Sequence, residues 1–249
     1  MARAAGEVLL SWVGRPPEGL GSKSSETDLV SDADREAERA IRDLLAAERP
    51  DDGLLAEEGS RSEGASGRRW VVDPLDGTIN FLYGFPAWAV SVALEDRDGV
   101  AVGVVHDPSR DETFRAARGE GASVRPGATG ADPKPLRVRD RRELERALVA
   151  TGFSYEPVRR AAQAGVVRRL LPRVRDVRRA GAAALDLAWL AAGRLDAYYE
   201  RGLRQWDWAA GRLLVEEADG SVEPLPGTPP GLVAAATPEL LRSLRDLVA

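Results

Sequence analysis

The order of apolar and polar positions along the chain carries two periods. Val90, Val92 and Leu94 alternate with Ser91, Ala93 and Glu95, the two-residue period of a strand. In "DADREAERAIRDLLAAE", Ala37, Ala40, Ile41, Leu44 and Leu45 recur at helical spacing. Ser31 stands just before that run with Asp34 three residues on, which predicts an N-cap with a capping-box-like acid. The same reasoning predicts strands at about 54–57, 69–73, 87–95, 100–106 and 111–116, a first helix over about 2–14 and another over about 157–171. "HDPSRDE" reads as a turn between strands, Gly14 to Thr27 as a Gly-, Pro- and Ser-rich loop, and 117–135 as loop. Further on, "RELERAL" reads as helix, "VATGF" as strand, "LDAYYE" as strand and "DWAAGRLLVEEA" as helix. "AAALDLAWLAAG" is a helix closed by Gly193 at the position after its cap. Strands dominate the first part and α/β alternation the second. The expectation is therefore an α/β (α+β) protein with two sheet-containing halves, 1–140 and 141–249, in one compact unit.

Composition narrows the chemistry. A chain of 249 residues with 43% hydrophobic content can bury a sizeable core. There is no cysteine, which excludes disulfides, thiolate metal sites and cysteine nucleophiles, and a single histidine, His106. The net charge of −5 disfavours wholesale nucleic-acid binding. Arginines gather between 137 and 179 and read as solvated helix faces. No apolar run reaches membrane-spanning length. The apolar stretch Ala4 to Val13 carries Glu7 and lacks a signal-peptide layout, as expected of an amphipathic first helix in a cytoplasmic protein. Chemistry here must rest on carboxylates, hydroxyls or a hard metal.

Three acidic places stand where a regular element meets a turn: Glu57-Glu58 in "LLAEEGS", Asp73 and Asp76 in "VVDPLDGTINF", and Asp207 in "QWDWAAG". Pro74 blocks continuation of the strand that ends at Val72, and Gly77 marks a sharp turn. Two carboxylates with the Leu75 carbonyl between them form an oxygen-rich set that suits Mg²⁺. Gly77 and Thr78 then open a short helical turn whose free N–H groups can hold a phosphate. Taken singly, each acid has a plainer reading. Asp207 and Asp34 are capping residues, Asp73 an Asx-turn residue, Glu57 and Glu58 exposed loop acids, and His106 a turn or core-edge histidine.

The ordered set goes further. "DPLDGTINF" and "WDWAAG" resemble the two signatures of the inositol monophosphatase family. "KSSETDLVSDAD", "AEEGS", "GFPAWAVSVAL", "RRAGAAALDLAWLAAGRLDAYYE" and "VEEADG" resemble further blocks of it, in family order over about residues 4–220. The resemblance implies a layered αβαβα sandwich and a Mg²⁺-dependent, lithium-sensitive phosphatase, with two or three ions per site and commonly a homodimer. It implies Glu57, Asp73, Asp76 and Asp207 as side-chain metal ligands and Leu75 as a carbonyl ligand. Thr78 and Asp34 match the pair that orients or deprotonates the attacking water, with Glu57 also in the catalytic set. Asp76, Gly77, Thr78, Gly181, Ala183 and Glu200 match substrate-contacting positions, and Lys23 lies in a mobile loop near the metals.

The chain departs from the family pattern at Gly59, Ile79 and Ala182, where Ser, Thr or Lys is usual; no metal ligand is lost. The expected substrate is myo-inositol 1-phosphate or a related polyol or sugar phosphate. Histidinol phosphatase, 3′,5′-bisphosphate nucleotidase and fructose-1,6-bisphosphatase activities stay open, as does a non-enzymatic RNA- or protein-binding regulator. A haloacid-dehalogenase reading of "DPLDGT" fails on spacing, since the acids are three residues apart with Pro between.

Overall fold

The computed structural model describes residues 1–15, 21–22, 29–127 and 132–249. The helices described are α1 (Ala2–Trp12), α2 (Asp32–Glu48), α3 (Thr78–Leu82), α4 (Pro157–Leu170), α5 (Ala183–Ala191), α6 (Gln205–Glu217) and α7 (Pro238–Val248). Strands β1 (Gly21–Ser22) and β2 (Leu29–Val30) pair as a small antiparallel ribbon. β3 (Gly53–Ala56), β4 (Arg61–Ser62), β5 (Arg69–Asp76), β6 (Ala89–Asp96), β7 (Gly99–Asp107), β8 (Glu112–Ala117), β9 (Ala122–Pro126) and β10 (Lys134–Pro135) form an eight-stranded sheet, ordered β10-β9-β8-β7-β6-β5-β3-β4. β11 (Leu148–Thr151), β12 (Asp176–Arg178), β13 (Ala197–Arg201), β14 (Ser221–Leu225) and β15 (Gly231–Ala235) form a second sheet, ordered β12-β11-β13-β15-β14.

Side-chain alternation decides how these layers stack. Val72, Val90 and Val92 of the large sheet pack with Ala5, Leu9, Ala37 and Ile41 of α1 and α2. Val71, Ala93, Val105 and Phe114 point the other way, into a core shared with Leu185, Leu187, Leu213 and Leu214 of α5 and α6. Ala150, Tyr198, Leu232 and Ala234 of the small sheet close the same core from its far side. The opposite face of that sheet, Val149, Tyr199 and Val233, is covered by Leu240, Leu241 and Leu244 of α7 and Leu170 of α4. The result is an αβαβα sandwich, with α5 and α6 buried between two sheets. That position explains why α5 is apolar nearly all round.

Three local expectations need correction. "RELERAL" is not an α-helix but a single 3₁₀ turn, Leu144–Arg146. The backbone is extended on both sides of that turn, because Ala147 and Val149 are fully buried as the chain enters β11. Residues 117–135 are not all loop, since β9 and β10 lie within them. Ala122 and Val124 are buried at alternate positions against the α5–α6 core, a strand period too short and too poor in bulky residues to stand out. Finally, Pro74 does not end its strand. β5 runs on to Asp76, with a register shift against β6 between Asp73 and Asp76. A bulge tolerates the missing proline N–H, and it bends the chain where the acids sit.

Candidate active site

The bulge in β5 shapes the opening motif. Asp73 pairs with Ser91 and Asp76 with Ala89, so one strand gains a residue on the other. Asp73 Oδ1 accepts the Leu75 N–H at 3.0 Å, the Asx geometry that the proline turn needs. Gly77 follows with φ +92°, and a Cβ there would lie 2.9 Å from the Ala87 carbonyl oxygen. Both facts require glycine. α3 then starts at Thr78.

Thr78 and Asp34 meet across the chain. The Thr78 hydroxyl lies 2.9 Å from Asp34 Oδ1 and 3.1 Å from the Leu75 carbonyl oxygen. The other Asp34 oxygen accepts the Ser31 N–H at 2.9 Å and the Ser31 hydroxyl at 2.5 Å. Asp34 is thus both a capping acid of α2 and the partner of Thr78, one oxygen for each task. Asp207 shows the same economy: its Oδ2 accepts the Arg204 N–H at 2.6 Å in the first turn of α6. Ser91 ties that turn to β6 by donating to the Trp206 carbonyl at 3.1 Å. Asp76 Oδ2 accepts the Ala184 N–H at 2.7 Å, at the positive end of α5.

The electrostatics of these acids are mutual. Burial raises the Asp73 carboxyl well above the usual range, and Glu57, Asp76 and Asp207 raise it further. Burial pushes Asp76 up to about 7 against the opposing pull of the Ala184 N–H, with Glu57 and Glu200 adding to the rise. Asp207 is raised by burial and then by Glu57. Glu200 is raised by burial to about 6, while Tyr198, whose hydroxyl donates to it at 2.7 Å, and Arg179 pull it down. Four carboxylates of one region thus resist ionising together, and no cation of the described residues is among the main influences on Asp73, Asp76 or Asp207.

An all-oxygen, strongly anionic, buried donor set of this kind fits a hard divalent cation such as Mg²⁺. Among the described residues, however, no three His, Cys, Asp or Glu side chains form a ready-closed cage. The acids act on one another as charges, and Asp73 also shares a side-chain hydrogen bond with Glu57.

Several supporting residues escaped the sequence reading. Glu38, buried on α2, accepts the Glu58 N–H at 2.8 Å and the Ser60 N–H at 3.1 Å and so holds the turn that carries Glu57. Its position four residues after Asp34, on the same helix face, is the signal that was available. Gly59 in that turn has φ +105°, so the departure from a hydroxyl residue matches a left-handed backbone. Asn80 donates to the Ala87 and Ala180 carbonyls at 2.6 and 2.8 Å, linking α3 to the segment before α5. Gly181 lies beside it with φ +93°. Ala183, like Gly181 an expected substrate-contacting position, lies in the first turn of α5 and offers its N–H toward Asp76. Asp186, a buried acid in that helix, was also missed. Lys23 lies outside the described residues. His106 is buried on β7, its Nδ1 3.0 Å from the Thr113 hydroxyl, at the core edge and not among these acids.

The profile of one protein family matches residues 1–246. The chain belongs to the inositol monophosphatase family. An "Inositol-1-monophosphatase" of Mycobacterium leprae is 46% identical over 235 residues, covering 90% of this chain and 79% of the relative. A "Nus factor SuhB" of Xylella fastidiosa is 44% identical, covering 89% and 78%. Among solved structures, the extragenic suppressor protein suhB of Bartonella henselae superposes with a TM-score of 0.89 at 38% identity, covering 99% of this chain and 94% of that one. An IMPase of Thermotoga maritima gives 0.86 at 31% identity, covering 99% and 93%. Family membership makes this inositol monophosphatase relative a phosphatase by class. No helix among the described residues is long and apolar enough to cross a membrane.

Proposed function

We propose that the protein is a Mg²⁺-dependent phosphomonoesterase that hydrolyses myo-inositol 1-phosphate or a related polyol or sugar phosphate. The observation that carries this reading is the Thr78–Asp34 hydrogen bond beside a buried, mutually repelling set of carboxylates. Glu57, Asp73, Asp76, Asp207 and the Leu75 carbonyl would hold the metal. Bound there, Mg²⁺ supplies Lewis acidity that neutralises phosphate charge and acidifies water. The chain's own residues do the rest. Thr78 donates its hydroxyl proton to Asp34 Oδ1, which leaves its lone pairs free to accept a proton from the attacking water. Asp34, fixed by Ser31, takes the proton that Thr78 passes on. The Gly77–Thr78 turn presents backbone N–H groups to the phosphate oxygens. Glu200 accepts hydroxyls of the leaving alcohol, which separates polyols from simple esters.

Lithium inhibition and a homodimer belong to the same reading. The decisive assay is phosphate release from a panel of esters with Mg²⁺, with and without chelator. Hydrolysis that survives strong chelation would refute the metal-dependent mechanism.

A second reading draws on the Xylella relative's printed name, "Nus factor SuhB". It takes the chain as a regulator that binds RNA or protein through the exposed arginines of 137–179. A salt-sensitive RNA mobility shift without phosphatase activity would favour it.

A further inference from the structure

Three neighbouring strands of the small sheet, β12, β11 and β13, run parallel, with Ala150 opposite Arg178 and Thr151 opposite Tyr199. Ligands of parallel sheets sit at the carboxyl ends of the strands. Here those ends bring together Arg179, the pair Gly152-Phe153, and Glu200. Gly152 makes room for its neighbour, since a Cβ on it would collide with the Glu200 carboxylate. The Arg179 guanidinium lies over the Phe153 ring, 5.9 Å from its centroid. It also lies against Gly181, where a Cβ would collide with it and stand 3.2 Å from Asn80 Nδ2. Arg179 therefore shares one rim with Glu200 and with the segment that leads into α5, whose first turn holds Asp76.

The pairing of the nearby arginines sets Arg179 apart. Arg110, Arg178, Arg179 and Arg194 line one cavity of about 440 Å³, together with Phe85 and Trp189. Asp107 pairs with Arg110 at 2.8 Å, Asp176 with Arg178 at 2.5 Å, and Glu112 with Arg194. Arg179 is exposed and makes no ion pair or hydrogen bond among the described residues. A guanidinium placed by an aromatic ring and a glycine, with its N–H fork unengaged, is ready to receive an anion.

We propose that Arg179 is a specificity-determining residue that binds a second phosphate on the substrate, so that the preferred ester is a sugar or polyol bisphosphate. This rests on the phosphatase reading above and narrows its substrate class. Glu200 and Arg179 stand at the ends of strands on either side of β11, about 10 Å apart across the sheet. A six-carbon sugar can bridge that length, with a hydroxyl at Glu200 and its distal phosphate at Arg179. The two side chains divide the organic half between them: the carboxylate accepts hydroxyl protons, and the guanidinium donates to phosphate oxygens. The Phe153 ring and Gly181 already restrict Arg179, so little side-chain freedom is lost when the anion binds.

The test compares kcat/KM for fructose 1,6-bisphosphate and fructose 1-phosphate, which share the 1-phosphate ester and differ in the distal phosphate. The wild type should prefer the bisphosphate by about 10–100-fold, the scale of hydrogen bonds to a charged group. Arg179→Gln should bring that ratio close to one, through KM more than kcat, and Arg179→Lys should keep part of it. A wild type without the preference, or a variant that loses equally on both esters, would overturn the proposal and leave the phosphatase reading standing. So would turnover of myo-inositol 1-phosphate alone, with both fructose esters untouched. Should no ester be hydrolysed, the phosphatase reading fails by itself. Calorimetric titration of wild type and Arg179→Gln with fructose 1,6-bisphosphate then decides the role of Arg179: equal affinities refute it, and weaker binding by the variant supports it. If Arg179→Gln does not fold by circular dichroism, Arg179→Met carries the same comparison, because it keeps an apolar stem over Phe153 and removes the charge.

Discussion

Thr78 and Asp34 lie 44 positions apart in the chain, yet the Thr78 hydroxyl stands 2.9 Å from Asp34 Oδ1. The contact joins the start of α3, which follows the β5 bulge, to the first turn of α2. Thr78→Ala removes the hydroxyl and keeps every acid. It should lower kcat by roughly 10²-fold or more, the usual scale of proton-transfer help, and leave Mg²⁺ half-saturation nearly unchanged. A threonine that only caps α3 would instead cost about 1 kcal/mol of stability. Turnover, Mg²⁺ dependence and melting temperature on one sample separate the two; normal turnover with a lowered melting point removes Thr78 from the mechanism.

Binding of Mg²⁺ to the folded chain alone should stabilise it. At a hundredfold excess over Kd the gain is about 2.7 kcal/mol, which for a chain of this size is roughly 5–10 °C in Tm. Asp207→Asn should reduce that shift, because it removes one of the acids that act on Asp73. Thermal scans with Mg²⁺ and with chelator check this; identical scans would mean that the acids hold no cation.

His106 gives a pH dependence whose sign is fixed by burial. Burial lowers its pKa below 6.5, against a smaller opposing effect of the Glu112 carbonyl. The unfolded chain therefore takes up this proton first as pH falls. The imidazole's contribution is fully present above about 6.5 and is lost as pH drops through the lower folded-state value. Gly6 leaves the ring its space, since a Cβ there would sit 2.6 Å from His106 Cδ2. Urea unfolding of wild type and His106→Gln at several pH values isolates this group from the carboxylates. Wild type should lose stability relative to the variant between pH 7.5 and pH 5.5. A difference that does not move with pH would show that the imidazole titrates alike in the folded and unfolded chain.

Gly103 lets α6 lie directly on β7. A Cβ at that position would meet the Ala210 carbonyl oxygen at 2.8 Å and the Ala210 Cα at 3.0 Å. Gly103→Ala should cost about 1–3 kcal/mol through overpacking. Since α6 carries Asp207, it should also weaken Mg²⁺ half-saturation. Urea titration and a Mg²⁺ titration of activity test both; a stable variant with unchanged metal dependence would show that α6 can shift without moving Asp207.

What the sequence by itself determined is local. The alternation in β6, the helical period and Ser31 start of α2, the Gly193 close of α5 and the Asp-Pro-Leu-Asp-Gly-Thr turn all arise between residues a few positions apart, where period and turn chemistry leave a trace. Gly193 has φ +66°, and the Arg194 N–H bonds back to the Trp189 carbonyl, as that close requires. The order of the acidic motifs was legible too, and with it the family. Tertiary structure decided the rest. It turned "RELERAL" into one 3₁₀ turn because Ala147 and Val149 had to be buried, and it carried β5 past Pro74 through a bulge. It set Thr78 on Asp34 and Glu38 under the Glu58 turn. Those pairings join residues from different elements, and hydrogen bonds or charge contacts across such distances imprint no period on the chain. They exist only where the packed layers bring those elements together.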